Sequence, residues 1–429
     1  MTEKMTASNI PFADDPLAQA LIGDDPMERE QPSMASPSTF DLDIIVKVLQ
    51  GTIFSPMFCV FVPLLVYSQA RNQSDPTFLG SCIWTAGVCL IGESLIVHPD
   101  YPCLLPLTLW NHADRIYACQ GSWLFAPPKL DWGEQIVLIT GGGSGMGALL
   151  AETLAMRNVT VVVLTNTPQK VESENYSITS YVCDVSDPKQ VSTVAAQIRE
   201  EIGDPTVIVN NAGVVKGKLL LDLSDDDVRD TFGSNTLSHF WVLREFLPAL
   251  IRNKRGHVVT MSSIMGLVGS AQMADYCASK AAVISLHSCL RFELDNRYKA
   301  PGIRTTLVIP SFVQTHMFSR TILPNSKLFN FLAPPVQPHE VVKRIIAAID
   351  YDESQVIRLP FYSNLARFMG PAVGIVPKWG VDLLQKIAGA DHAMRSYGPH
   401  PDAAERLISG EFVQSPTDQR ERQKSPTPA

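Results

Sequence analysis

Tyr276 and Lys280 are the residues whose types and spacing most directly promise chemistry. Four apart on a helix, they share one face. A free phenol ionises near pH 10, too high for an efficient base at neutral pH, and an ammonium group one turn away lowers that value. The pair is therefore expected to move a proton at an oxygen, as the interconversion of an alcohol and a carbonyl compound requires. Ser263 stands thirteen residues before Tyr276, with Ser262 as its rival. At the end of a strand, such a hydroxyl can hold an oxygen on which charge develops. Asn235 falls inside a helical pattern, where asparagine has poor propensity. Singly, each has an ordinary explanation: Tyr-x-x-x-Lys is commonly solvated helix surface, and paired serines commonly end a strand.

These residues need a scaffold, and the chain is organised around Glu134 to Gly147, EQIVLITGGGSGMG. The apolar run Ile136 to Ile139 breaks into glycines and resumes as a helical pattern from Ala148 to Met156. A short apolar run with such an end predicts a buried strand of a parallel sheet. Gly141, Gly145 and Gly147 allow a tight turn and close approach to a pyrophosphate seated on the helix N-terminus. Further strands are expected at 159–164, 180–183, 206–209, 257–261, 304–309 and 356–359, with helices between them. One helix is expected to start at Ser224, capped and followed by Asp225 to Asp227, and to run to about Ile251. Another covers Met273 to Asn296. The fold class is α/β, a doubly wound parallel sheet.

In chain order, TGxxxGxG from Thr140 to Gly147, NNAG from Asn210 to Gly213, Asn235 within NTLSHF, a serine, and YxxxK from Tyr276 to Lys280 resemble the short-chain dehydrogenase/reductase family. The resemblance covers roughly Trp132 to Pro360. It implies a Rossmann-type oxidoreductase using NAD(P), with Tyr276 as general acid/base. It favours Ser263 over Ser262, gives Lys280 a second role on the nicotinamide ribose, and makes Asn235 the keeper of a water in the proton relay. The implied cofactor contacts are Thr140, Gly141, Ser144, Gly145, Met146 and Gly147, then Asn211 and Gly213 beside the adenosine ribose, and Asp184 at the adenine. Pro310 to Thr315, PSFVQT, is similar to the family's PG-x-V-x-T, so Val313 and Thr315 would meet the carboxamide and diphosphate, with Ser311 in place of the usual glycine.

The second strand ends in Leu164-Thr165-Asn166-Thr167. An acidic residue at Thr165 would accept bonds from the ribose hydroxyls and select NAD. Its absence, with hydroxyl and amide donors there and Lys170 near, favours NADP(H) over NAD. Alternatives are NAD-dependent alcohol oxidation and a non-catalytic, cofactor-binding membrane scaffold. No metal site is expected.

The 429 residues carry a net charge of −8, which excludes a basic face for nucleic acid. Mean hydropathy is +0.07, apolar for a soluble enzyme. The 8 cysteines form no CxxC pair and no framework, and read as reduced thiols. Residues 1–40 read as a disordered acidic tail and 41–100 as an apolar, membrane-associated hairpin. Within the latter, Leu79 to Val97 carries only Glu93 and is long enough to cross a hydrocarbon core of about 30 Å. A connector follows at 101–131, the dehydrogenase domain at 132–360, an amphipathic extension at 361–395 and a disordered tail at 396–429. Pro310 to Pro338, with Phe312, Met317, Phe318 and further apolar residues, is expected to form a greasy lid over a lipophilic alcohol or ketone. The apolar leader and extension resemble retinol- and hydroxysteroid-dehydrogenase-like members, fungal ones among them. They imply association with endoplasmic reticulum or lipid droplets, the catalytic domain facing the cytosol. The helices from Ser224 and Met273 resemble the family's dimer face, which implies a homodimer.

Overall fold

The computed structural model describes residues 130–166, 178–321 and 333–360, parts of 362–397, and residues 44 and 48. The acidic tail, nearly all of the apolar hairpin and connector, residues 322–332 of the lid, and Thr167 and Lys170 lie outside the described residues. Among the described residues no helix is long and apolar enough to cross a membrane.

Seven parallel strands form one sheet in the order β3-β2-β1-β4-β5-β6-β7. They are β1 Ile136–Thr140, β2 Thr160–Thr165, β3 Ile178–Val182, β4 Val207–Asn210, β5 Gly256–Met261, β6 Ile303–Pro310 and β7 Gln355–Leu359. The helices are α1 Gly145–Ala155, α2 Pro188–Glu201, α3 Asp225–Phe232, α4 Ser238–Asn253, α5 Ala274–Asn296, α6 Pro338–Asp350, α7 Ser363–Ala366 and α8 Lys378–Ala388. The two-residue alternation of a strand sorts the apolar run of β1 onto two faces. Val137 and Ile139 join Val161, Val163, Leu150, Leu154, Val341 and Ile345 in the core under α1 and α6. Leu138 joins Val162, Leu164, Ile198, Phe246 and Leu294 under α2, α4 and α5. With helices on both faces, the strands are wrapped in apolar side chains, which is why they read as continuous β-branched runs.

Helix starts follow local chemistry. Asp187 caps α2 by accepting from the Lys189 N–H, with Pro188 at the first helical position. Ser224 and Asp227 form a reciprocal capping box on α3. The single helix expected from Ser224 is interrupted by a π turn, Gly233–Leu237, that separates α3 from α4. The strand order reverses between β1 and β4, so the loops after those strands diverge at the C-terminal edge and leave the crevice where ligands bind in such sheets.

Candidate active site

The predicted residues converge on that edge. The glycine loop leaves β1, Asn211 and Gly213 follow β4, Ser262 and Ser263 follow β5, Ser311 follows β6, and Tyr276 and Lys280 look out from α5.

Thr140 and Asn211 build the crevice floor. Thr140 Oγ1 accepts from the Asn211 and Ala212 N–H groups, both at 3.0 Å. Asn211 Nδ2 donates to the carbonyls of Thr140 and Gly141 at 3.1 and 3.2 Å. Gly141 has φ +65, and a Cβ there would meet Ala212 Cα at 2.8 Å. Above this floor the N-terminus of α1 is bare. Ser144 makes no side-chain cap bond, and no acidic residue sits in the first turn. A Cβ at Gly145 would meet nothing within 4 Å, whereas one at Gly147 would lie 2.5 Å from the Gly141 carbonyl oxygen and 2.6 Å from Asn211 Nδ2. A cradle closed below, open above and lined by unpaired helix N–H groups suits a pyrophosphate.

This geometry makes a prediction. Gly147→Ala forces the glycine loop away from β4 and lowers stability by about 1–3 kcal/mol, the ordinary cost of overpacking. Gly145→Ala meets no atoms and costs only the left-handed backbone penalty of about 1–2 kcal/mol. Thermal unfolding checks both, and a Gly147→Ala protein as stable as the parent would contradict the close packing.

Ser263 and Ser262 have different partners. The Ser263 hydroxyl accepts from the Met265 N–H at 3.2 Å and stands on the phenol side of Tyr276, where it favours the ionised form. Ser262 Oγ donates to the Lys280 carbonyl at 2.9 Å, a bond inside the scaffold. Lys280 Nζ donates to the Met261 carbonyl at 3.0 Å and lies 5.8 Å from the centre of the Tyr276 ring. A Cβ on Gly213 would lie 3.1 Å from Asn235 Oδ1, so the glycine leaves room for the Asn235 amide.

The expected acidification of Tyr276 is not what the structure gives. Burial pushes its phenol up to about 12, partly countered by the Ser263 hydroxyl. Lys280, stripped of water in the same way, is pushed down to about 8. Desolvation disfavours both charged forms. Near neutral pH the site therefore holds a protonated phenol, a proton donor.

Asn235 sits in the π turn and is fully buried. Its Oδ1 accepts from the Val214 N–H at 2.7 Å, while Nδ2 donates to the Val214 carbonyl and to Ser279 Oγ, both at 3.0 Å. Both amide protons are thus spent inside the protein, and the side chain ties the loop after β4 to α5. The extra residue of the π turn aims this amide sideways between two elements, which a regular helix would not do.

Among the other predicted contacts, Thr165 is buried at the end of β2, and Asn166 beyond it is exposed. Asp184 is exposed and accepts from the Ser186 N–H and hydroxyl at 2.9 and 2.7 Å, holding the turn that leads to α2. Val313 is buried and bridges to Val336, while the Thr315 N–H donates to the Val313 carbonyl at 2.8 Å. Ser311 does not adopt a positive φ, so the glycine it replaces was not needed for backbone freedom here. Its hydroxyl bonds the Tyr362 hydroxyl.

Apolar residues close the site. Tyr276 meets Phe318 edge-on at 6.2 Å, and Phe318 meets Phe312 at 6.0 Å. Met273 and Met394 complete the cluster around the phenol, with Tyr397 against it. Met394 and Tyr397 carry no motif and were not among the residues predicted from the sequence. Tyr397 lies beyond residue 395, the boundary set there for the ordered chain. A cavity of about 210 Å³ opens at the opposite edge of the sheet, beside Gln135, Thr206, His257 and Asp352, away from this chemistry.

The chain matches the family model for short chain dehydrogenases over residues 135–324. It is 34% identical over 304 residues to retinol dehydrogenase 10 of Rattus norvegicus, covering 63% of this chain and 87% of that protein. It is 37% identical over 237 residues to epidermal retinol dehydrogenase 2 of Mus musculus, covering 53% and 74%. Among solved structures, 4-hydroxyisoleucine dehydrogenase complexed with NADH matches with a TM-score of 0.47 and 22% identity, over 53% of this chain and 96% of that one.

Proposed function

The chain belongs to the short-chain dehydrogenase family and is an oxidoreductase acting on CH–OH donors; on that footing we propose that it interconverts a lipophilic alcohol and its aldehyde or ketone, with NADPH-dependent reduction favoured. The observation that carries this reading is the buried Tyr276 phenol, with Lys280 Nζ 5.8 Å from its ring centre, under an apolar cover at the switch-point edge of the sheet. Tyr276 delivers its proton to the carbonyl oxygen in reduction and recovers one in oxidation. Ser263 holds that oxygen as charge grows on it. Lys280 supplies a positive field on the phenol and reaches the cofactor ribose. The nicotinamide dinucleotide supplies or accepts the hydride. Thr140, Gly141, Ser144, Gly145, Met146 and Gly147 cradle its diphosphate, and Asn211 and Gly213 hold the floor beneath. Thr165 and Asp184 flank the adenosine side, with Val313 and Thr315 on the nicotinamide side.

The protonated phenol supports the reductive direction, since reduction needs a donor at that atom. The NADP preference rests on Thr165 and Asn166, which leave β2 without a carboxylate to repel a 2′-phosphate. A lipophilic substrate fits the Phe312, Phe318 and Met394 walls, and the retinol dehydrogenases named above act, by their names, on such a molecule. Residence on endoplasmic reticulum or lipid droplets, facing the cytosol, is supported by the composition of Leu79 to Val97 and by α8, whose Trp379 and Leu383 are 71% and 50% exposed. A homodimer is supported by exposed Phe240 on α4 and Phe292 on α5.

The test is to follow NADPH and NADH consumption by the full-length chain with a panel of lipophilic aldehydes and ketones. Turnover with a tighter KM for NADPH is expected. A clear preference for NADH overturns the cofactor assignment, and no turnover with any carbonyl compound overturns the substrate class. Retention of the protein in carbonate-washed membranes is expected alongside, and its release would defeat the anchoring.

A further inference from the structure

The cover over Tyr276 comes from two distant parts of the chain, and one of them is the C-terminal segment. Met394 is 1% exposed and shares a cluster with Met273 and Tyr276, against which Met265, Cys277, Phe318 and Tyr397 are packed. Three ties hold this segment down. Gln385 Nε2 on α8 donates to the Gly269 carbonyl at 2.6 Å. Thr321 Oγ1 donates to Met394 Sδ at 3.7 Å. The Tyr397 hydroxyl donates to the Met317 carbonyl at 2.7 Å and accepts from the Arg320 N–H at 3.4 Å. The Tyr397 side chain seats on Gly217, where a Cβ would lie 2.5 Å from Tyr397 Cβ and 3.1 Å from Met394 Cε. Gly217 thus makes the seat for both side chains.

We propose that Met394 and Tyr397 form the C-terminal wall of the substrate pocket and set which carbonyl compounds fit. Tyr276 is 5% exposed, so a substrate whose oxygen reaches the phenol must place its neighbouring carbons where this cover now lies. Met394 is the piece suited to yield, because an unbranched thioether adjusts its shape at little cost. Tyr397 is the latch. Its bonds run to Met317 and Arg320, in the stretch after β6, so the two halves of the cover move as one. The substrate displaces or lies along Met394, and the side chain's bulk limits the width of what can stand beside Tyr276. This deepens the oxidoreductase reading and rests on Tyr276 as its acid/base.

The test uses the full-length chain with Tyr397→Phe, which keeps the ring on Gly217 and removes only the latch bonds, and with Met394→Ala, which removes the wall. The first readout needs no turnover. Alkylation of Cys277, a partly buried member of the cover, is followed by peptide mass spectrometry, with Cys183 in the sheet core as reference. Tyr397→Phe is expected to speed Cys277 labelling roughly two- to tenfold, the worth of one net hydrogen bond, with Cys183 unchanged. The second readout is kcat/KM across carbonyl compounds of rising width, where Met394→Ala shifts the preference toward wider ones. Unchanged Cys277 labelling in both variants overturns the wall, as does a parallel rise at Cys183, which marks general loosening. A chain that labels as expected but reduces nothing keeps the wall and loses the oxidoreductase reading, so the two failures are distinguishable.

Discussion

Tyr276→Phe is expected to lower turnover by about 10²–10⁴-fold, the usual worth of a positioned general acid, while the protein stays folded and its dinucleotide site intact. The substitution removes one oxygen. The ring that meets Phe318 edge-on at 6.2 Å remains, and so does the packing among Met273, Met394 and Tyr397. Ser263 keeps the bond from the Met265 N–H, so the stability cost stays within that of one hydrogen bond, about 1 kcal/mol. The unfolding temperature should therefore fall by only about 2–4 °C, and NADPH fluorescence titration should match the parent, while kcat collapses. A variant that retained the parent's kcat would remove Tyr276 from the mechanism. The pH dependence has a definite sign as well. With its phenol up at about 12, Tyr276 is a ready donor throughout the neutral range, so reduction is not limited by its protonation. Oxidation needs the ionised form and should quicken as pH rises.

Much of this site is legible in the residues themselves, because its parts are local. A β-branched run that ends in glycines makes β1 and its turn, a Ser224–Asp227 pair makes a helix start, and the four-residue step from Tyr276 to Lys280 makes a shared helix face. What sequence spacing does not carry is the third dimension. The π turn at Gly233–Leu237 has no composition that marks it, yet it decides where the Asn235 amide points. The direction of the Tyr276 shift depends on how much water the fold removes, and no local pattern reports that. Tyr397 is a single aromatic residue in a polar stretch, with no periodicity to announce that it docks on Gly217. By contrast, α6 is readable in the residues. Pro338 opens it, and Val341, Val342, Ile345, Ile346 and Ile349 recur on one face, as the expectation of helices between the strands requires.

The second large effect expected is on the fold's acid tolerance. His239, His257 and His287 are all buried, on α4, β5 and α5. Burial holds their imidazoles far below the ordinary 6.5, at about 3, about 3 and about 4. Neighbouring cations add to this, Lys280 beside His239, Arg304 beside His257 and Arg291 beside His287. Their surroundings offer little to a proton: His257 Nε2 bonds Thr306 Oγ1 at 2.8 Å, while neither ring nitrogen of His239 has a partner among the described residues. The unfolded chain takes up three protons as pH falls through about 6.5, and the folded chain refuses them until about 4 or below. Stability is therefore fully present above that upper value and is lost as pH drops. Each histidine weakens the folding equilibrium by about a factor of ten per pH unit, so roughly one unit below 6.5 the three together remove about 4 kcal/mol. That is a large share of the 5–15 kcal/mol typical of a folded domain, so the fold is expected to be markedly weakened between about pH 6.5 and 5. Asp227, held down at about 2 by Lys218 and Ser224, adds the same sign only at more acid pH. Calorimetric Tm should be nearly flat from pH 8 to 7 and fall steeply below 6.5. Replacing His239, whose ring nitrogens have no bonds to lose, with Leu should reduce that slope by the share of one proton. A Tm that stays level down to pH 5 would mean that the three imidazoles have ready access to water, and the tight sheet-and-helix packing described for α4, α5 and β5 would be wrong at those positions.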